Sequence, residues 1–344
     1  MKKIILVIIA VVFTFTFKTL KDAGVFRKIE NYVGGKVIET ISGIPGPEDM
    51  DIDKSTEILY ISSSDRWNAD LDISTNGIYQ MKLPDGKPRL MPTNLKTPIK
   101  PHGISLYRDS QTLYLFVVNH NNGDFVERFQ IRNDSLIHEE TFHDPLMCCP
   151  NDVAADGKRS FYVTNDHGFA DGFGRVIEDY LRIPKSYVLY FDGVNYIKVI
   201  EKLNYANGIA ISNDKTRLYV TETTSGKLNT LLIKSGSIEP ASTRKLYTGV
   251  DNIYVDTKDN LWIGAHPKLF AFVAHAKDPE KLSPSEVLKL TPDNDGFIVQ
   301  QVYLNEGKEL SGSSVALWHE NEIFVGGVFQ STILRIELIE DSNE

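Results

Sequence analysis

The chain has 344 residues, 42% hydrophobic and 24% charged, an ordinary composition for a globular protein that buries a large core. A formal net charge of -9 at pH 7 excludes a surface built for nucleic-acid phosphates, which need clustered Lys and Arg, and favours cations as partners. Only two cysteines are present, so there is no disulfide framework, and no Pro/Gly/Ser-rich linker divides the chain, so a single all-β domain accommodates the length.

In chain order, residues 4–17 (IILVIIAVVFTFTF) form an uncharged run between Lys2, Lys3 and Lys18. Basic-then-apolar at the extreme N-terminus reads as an export signal. The run is shorter than the roughly 20 residues that cross a bilayer comfortably, and no A-x-A cleavage site follows it. Residues 1–23 are therefore expected to be a signal peptide or an uncleaved signal-anchor, with a buried N-terminal element as the alternative. Residues 24–344 form the remaining domain. The expected location is extracellular or periplasmic, with membrane association through the N-terminal segment left open.

From residue 48 onward one unit recurs six times. A polar couplet, Glu48-Asp49, His102-Gly103, Asn151-Asp152, Asn207-Gly208, Asp251-Asn252 or Ser313-Ser314, is followed by an apolar residue, a polar turn and an apolar triplet such as Leu59-Tyr60-Ile61 or Leu261-Trp262-Ile263. The triplets are rich in residues that suit a pleated, half-buried surface, so each unit is a β-hairpin. Successive couplets start 54, 49, 56, 44 and 62 residues apart, and multi-strand repeats near that length are propeller blades. The predicted fold is all-β, a single six-bladed β-propeller. Within 168–186, Val176, Tyr180 and Leu181 fall at helical spacing before Pro184, which predicts a short helix over one end of the propeller, either a lid or a filler between blades. Cys148 and Cys149 are neighbours, match no spaced zinc or redox motif, and bridge only with strain; they read as packing residues, with an unusual thiol role as the alternative.

Residues at one phase of every repeat meet around the central channel of a propeller. Glu48, Asn151, Asn207 and Asp251 are expected to face a common centre, with His102 and Ser313 in the same ring and Asn252 beside Asp251. Hard oxygen donors without cysteine suit calcium better than zinc. Asp49 and Asp152 alternate to the other side of their strands and could form a second, deeper site.

The stretches GPEDMDID (46–53), PHGIS (101–105), VVNH (117–120), NDVAA (151–155), TNDHGF (164–169), YANGIAIS (205–212), VDNIYVD (250–256), WIGAHP (262–267) and GSSVA (312–316) resemble the serum paraoxonase/arylesterase family, in that family's order from about residue 35 to the C-terminus. The resemblance implies two calcium ions in the tunnel of a six-bladed propeller. The catalytic ion is expected on Glu48, Asn151, Asn207, Asp251 and Asn252, and the structural ion on Asp49, Asp152 and the main-chain oxygen of Ile104. It also implies a histidine pair, His102 and His120, with Asp166 nearby, and Trp67, Tyr205, His167, His266 and Ser314 are expected to line the substrate pocket. Three places depart from the family. Val37 and Ile336 stand where vertebrate members join the chain ends by a disulfide, so closure falls to strand pairing. The helical insertion carries Arg175, Glu178, Asp179 and Arg182 where those members are more hydrophobic. The segment SSDRWNADLD (63–72) also differs.

These readings converge on a calcium-dependent hydrolase of lactones and aryl esters, with weak phosphotriester cleavage as a side activity. The calcium would polarise the carbonyl while His102, assisted by His120, takes a proton from water; a carboxylate at the metal is the alternative base. A gluconolactonase-like propeller and a non-catalytic partner-binding propeller are the other readings. No G-x-S-x-G nucleophile elbow is present.

Overall fold

The computed structural model describes residues 2–68, 73–234, 237–294 and 296–339, and its strands form six antiparallel sheets. Each sheet is a blade. The inner strands, Pro47–Asp53, Pro101–Asp109, Pro150–Ala155, Ala206–Ile211, Gly249–Val255 and Ser313–His319, carry the six couplets at or near their first residues. They touch in order around a ring, the sixth returning to the first. The expected six-bladed propeller is the observed fold.

The apolar triplets lie in the second strands, such as Ile58–Ser63 and Phe161–Asn165, which are buried residue after residue. A period-two pattern is lost there because neighbouring blades cover both faces. Phe116 and Phe142 of the second blade pack on Phe161 of the third, with ring centroids 5.7 and 5.1 Å apart. Each such side chain contributes about 1.5–3 kcal/mol by burial, so the seams between blades are the main cohesive surfaces.

The ring closes by strand exchange between the chain ends. Gly35–Ser42 is the outermost strand of the sixth blade and pairs antiparallel with Thr332–Leu338, with Val37 opposite Ile336. A second N-terminal strand, Tyr32–Val33, extends the fifth blade, an addition no sequence pattern announces.

One irregularity recurs in every blade. The pairing between first and second strands slips at the couplet: between Pro47 and Asp49, Pro101 and Ile104, Pro150 and Val153, Ala206 and Ile209, Val250 and Ile253, and Ser313 and Val315. Each slip inserts one residue, which is a β-bulge, and a bulge re-aims side chains at the rim of a sheet.

Three helices occur among the described residues. Helix α1, Lys2–Asp22, runs beyond the apolar stretch and buries none of its residues; at 1.5 Å per residue it is roughly 31 Å long, enough to span a bilayer core. Its end is docked. Asp22 pairs with Arg182 and Lys245 at 3.0 and 3.4 Å, and the Leu269 N–H donates to the Ala23 carbonyl. Helix α2, Gly172–Leu181, is the helix predicted within 168–186, and its chain turns out through a left-handed Arg182. Helix α3, Leu269–Lys277, was not predicted.

Because Val37 directly faces Ile336, the double substitution Val37→Cys with Ile336→Cys should form a disulfide and raise the unfolding midpoint, with stabilisation of up to about 4–5 kcal/mol from closing so long a loop. Non-reducing electrophoresis and thermal melts with and without reductant measure both effects.

Candidate functional site

Antiparallel order puts the start of strand one, the end of strand two and the loop to strand three at the same end of each blade. The couplets therefore share that end with Arg66 and Trp67, with His120 and Asp124, with Asp166, His167 and α2, and with α3. Two couplets have Gly as second member because neighbouring backbone passes too close for a side chain. A Cβ on Gly103 would lie 2.4 Å from Asp152 Cα, and one on Gly208 would lie 2.5 Å from the Asp251 carbonyl oxygen.

At the ring, Asn252 Nδ2 donates to Glu48 Oε1 at 2.9 Å and to the Glu48 carbonyl at 3.0 Å, while the Ser314 hydroxyl donates to the same carbonyl at 2.6 Å. Asn207 Nδ2 donates to Thr223 Oγ1 at 3.0 Å, and His266 Nε2 bonds Asp251 Oδ2 at 2.7 Å. These contacts use the amide nitrogens of Asn207 and Asn252 and one oxygen of each acid. What remains is one buried oxygen without a hydrogen-bond partner on each of five residues: Glu48 Oε2, Asn151 Oδ1, Asn207 Oδ1, Asp251 Oδ1 and Asn252 Oδ1. Leaving a buried polar atom unpaired costs about 1–3 kcal/mol, and five such atoms on residues of one ring fit a hard cation of the calcium type, which takes six to eight oxygens. Burial raises the Asp251 carboxyl, with His266 opposing. Burial also acts on Glu48, but His102, Arg66 and Asn252 outweigh it and hold that carboxyl low, at about 2.

Asp49 and Asp152 occupy the next level. Asp49 accepts the N–H groups of Met50 and Ile104 at 2.8 and 2.7 Å, and Asp152 those of Val153 and Ile209 at 2.7 and 2.8 Å. Each acid ties its blade to the next. Ile104, expected to offer its carbonyl, is engaged through its N–H. Burial, then repulsion from Asp152 and Glu48, pushes the Asp49 carboxyl well above its ordinary range, and burial raises Asp152 likewise. A cation between them would relieve both. Both acids line a cavity of 410 Å³ in the lower tunnel that none of the five upper residues reaches.

Beside the ring stands a relay. His102 Nδ1 and His120 Nε2 are 3.0 Å apart, His120 Nδ1 is 2.8 Å from Asp124 Oδ1, and His102 Nε2 lies 3.4 Å from Glu48 Oε1. When both imidazoles are neutral and the Asp124 carboxylate accepts from His120 Nδ1, His120 Nε2 accepts from His102 Nδ1 and the His102 Nε2 lone pair faces the ring; protonated at Nε2, His102 instead faces the Glu48 carboxylate as a cation. Burial lowers the His120 imidazole, with Asp124 opposing, which favours the neutral tautomer this chain requires.

The expected pocket residues separate into two groups. Trp67 and Tyr205 are half-buried at the mouth: Trp67 stacks on Phe329 at 5.5 Å, and Tyr205, strained at φ +60°, packs edge-on against His167 at 5.0 Å. His266 and Ser314 are buried behind the ring, bonded to Asp251 and Glu48, and His266 is covered by Phe272 of α3. His167 is also buried, between Asp166 at 2.6 Å and Asp179 of α2 at 2.8 Å, while Glu178 accepts the Gly168 N–H. Positions 69–72 of the divergent segment lie outside the described residues.

Two groups escaped the sequence reading. Asp124 follows His120 by four residues in the loop NHNNGD, a spacing that could have shown it. Arg66, beside Trp67, donates to the carbonyls of Ser64 and Val328 at 3.3 and 3.2 Å and stands 3.9 Å from Glu48 Oε2. Nothing local marks it, since its partners come from different blades.

Ring, relay and fold define a six-bladed propeller with a polar mouth at one end of its axial tunnel. Residues 32–338 match the family described as Arylesterase. The chain is 35% identical over 273 residues, 75% of each chain, to serum paraoxonase/arylesterase 2 of Rattus norvegicus. It is 32% identical over 310 residues to serum paraoxonase/arylesterase 1 of Homo sapiens, covering 84% of this chain and 85% of the relative. In fold it is similar to a gluconolactonase from Xanthomonas campestris, with a TM-score of 0.57 at 13% identity over 89% of this chain and 92% of the other. The chain belongs to the arylesterase family, a family of esterases and lactonases.

Burial opposes the charge on His167, but its hydrogen bonds to the Asp166 and Asp179 carboxylates outweigh it and push the imidazole up to about 9. A folded-state value above the unfolded one, about 6.5, stabilises fully below that pH and is lost as pH rises through the folded value. The hydrogen-exchange protection of helix α2 should therefore be greatest below about pH 6.5, decline as pH rises, and be lost above about pH 9. Asp179→Asn should move that loss to lower pH.

Proposed function

We propose that this chain is a calcium-dependent hydrolase of small lactones and aryl esters, with phosphotriester cleavage as a weak side activity and no nucleic-acid partner. The observation that carries the reading is the unpartnered buried oxygen on each of Glu48, Asn151, Asn207, Asp251 and Asn252. Family membership supports the substrate class, because the relatives are named for aryl-ester hydrolysis. A partner-binding propeller has no use for five unpaired oxygens in its tunnel, and the gluconolactonase likeness extends to the fold alone.

The five upper residues would hold the catalytic ion; Asp49, Asp152 and the Ile104 main-chain oxygen would hold a structural one. Bound there, calcium supplies Lewis acidity toward the substrate carbonyl and charge to stabilise the developing oxyanion. The chain provides the proton chemistry. His102 Nε2 takes a proton from the attacking water and returns it to the leaving oxygen. His120 and Asp124 hold His102 in the tautomer that leaves Nε2 bare. His266 orients Asp251, and Ser314 and Asn252 fix the Glu48 main chain. Trp67 and Tyr205 provide apolar surface at the mouth for an aryl or lactone ring. Helix α1 acts as an export signal or anchor, placing the propeller outside the cytoplasm, extracellular or periplasmic.

Chelation should abolish turnover and lower the melting temperature, because an ion bound only to the folded state adds RT ln(1 + [L]/Kd), about 2.7 kcal/mol at a hundredfold excess over Kd. Calcium should restore both. Full turnover in protein shown by elemental analysis to be free of metal would overturn the reading.

His102→Gln should reduce lactone turnover by about a hundredfold or more while the calcium-induced rise in melting temperature persists. Asp124→Asn should cost less, about tenfold, the lower end of effects for an outer partner that orients its neighbour. Near-normal turnover of His102→Gln from pH 6 to 9 would transfer the base role to a ring carboxylate.

A further inference from the structure

The adjacent cysteines have no part in the hydrolytic reading, yet they occupy a junction. Cys148 and Cys149 lead through Pro150 into the ring residue Asn151. Their sulfurs are 2.6 Å apart, against about 2.05 Å for a covalent S–S bond. Both thiols also hold the loop that enters α2. Cys148 Sγ donates to the His167 carbonyl at 3.3 Å, and Cys149 Sγ to the Phe169 carbonyl at 3.6 Å. The Asp166 N–H, in turn, donates to the Cys149 carbonyl at 3.0 Å. Cys149 is buried, whereas Cys148 is partly open and receives the Tyr187 hydroxyl at 3.6 Å. Two residues serving only as packing would need neither facing sulfurs nor paired S–H contacts to one loop.

We propose that Cys148 and Cys149 form a redox modification site that closes to a vicinal disulfide by exchange with a low-molecular-weight disulfide, and that closure loosens the root of α2. The more open Cys148, its proton released to solvent, attacks one sulfur of the small disulfide. The S–S bond of that molecule breaks and one thiolate leaves, taking up a proton. Cys149 then loses its proton and attacks the Cys148 sulfur of the mixed disulfide, expelling the second thiol. Two protein thiols are oxidised and one small disulfide is reduced to two thiols. Once joined, neither sulfur can donate, so the carbonyls of His167 and Phe169 lose those partners. Neighbouring Cα atoms are about 3.8 Å apart, below the roughly 4.4 Å minimum of ordinary bridges, so the ring is strained and readily reduced, which is the character of labile, regulatory disulfides.

The test uses the full chain equilibrated with oxidised and reduced glutathione at a series of ratios, then quenched with acid, alkylated and digested. The peptide containing both cysteines should become two hydrogens lighter and resist alkylation in oxidising mixtures, and dithiothreitol should reverse this. Limited trypsin digestion reads α2: cleavage at Arg175 and Arg182 should be several-fold faster in the oxidised protein. Cys148→Ala should remove the redox dependence of that cleavage; it alters the more open residue, so it tests the idea even if Cys149→Ala does not fold. Two alkylatable thiols at every ratio, a mixed disulfide that never resolves, or equal cleavage of oxidised and reduced protein would each overturn the proposal. None of these readouts involves ester turnover, so they stand apart from the hydrolase reading.

Discussion

One inserted residue per blade governs this molecule. A regular inner strand would point alternate side chains to opposite faces and complete every ladder bond with its neighbour. The bulge at each couplet breaks that rule at the same height six times, so polar side chains turn toward the axis at one mouth. The barrel-like packing of Leu, Phe, Tyr and Trp in the second strands keeps the bulges in place. Without that rigid outer support, a ring of buried acids and amides would separate or fill with water.

The ring opposes the core electrostatically. Glu48, Asp49, Asp152 and Asp251 are each at least nine-tenths buried, and an unneutralised buried ion costs several kcal/mol. The chain offsets part of this with backbone N–H groups, Asn252, His102, His266 and Arg66. The rest is left as raised carboxyl groups and unpaired oxygens, a local strain that the seams between blades are large enough to bear. Such concentrated instability in an otherwise well-packed fold is how a binding site is distinguished from a structural one.

Much of this was legible in the sequence because repetition amplifies weak signals. A single Asn-Asp at a strand entrance reads as a turn; six couplets in phase gave the blade count and a ring, while the Val37–Ile336 closure came only with the family resemblance. Strict strand alternation, however, placed Asp49 and Asp152 on the far side without foreseeing the bulges or the inter-blade ties to Ile104 and Ile209. His266 and Ser314 were legible as site residues but not as supports behind it, since burial depends on α3 and on Glu48, far away in sequence. Arg66 and the Tyr32–Val33 strand were hidden for a similar reason: Val328, one of the Arg66 partners, and the whole pairing partner of Tyr32–Val33 lie more than 200 residues off. Asp124 was closer at hand and was missed because a carboxylate in a Gly-containing loop usually serves the turn.

The pairing of Gly35–Ser42 with Thr332–Leu338 fixes an order of events in the life of the chain. The sixth blade lacks a partner for its first-made strand until Thr332–Leu338 has been synthesised, and until then the tunnel is a cleft with an open side. Contacts of such long sequence separation form slowly. The ring of a growing chain therefore stays unlatched until Thr332–Leu338 has been made. The strand that seals the ring also acts as a timer.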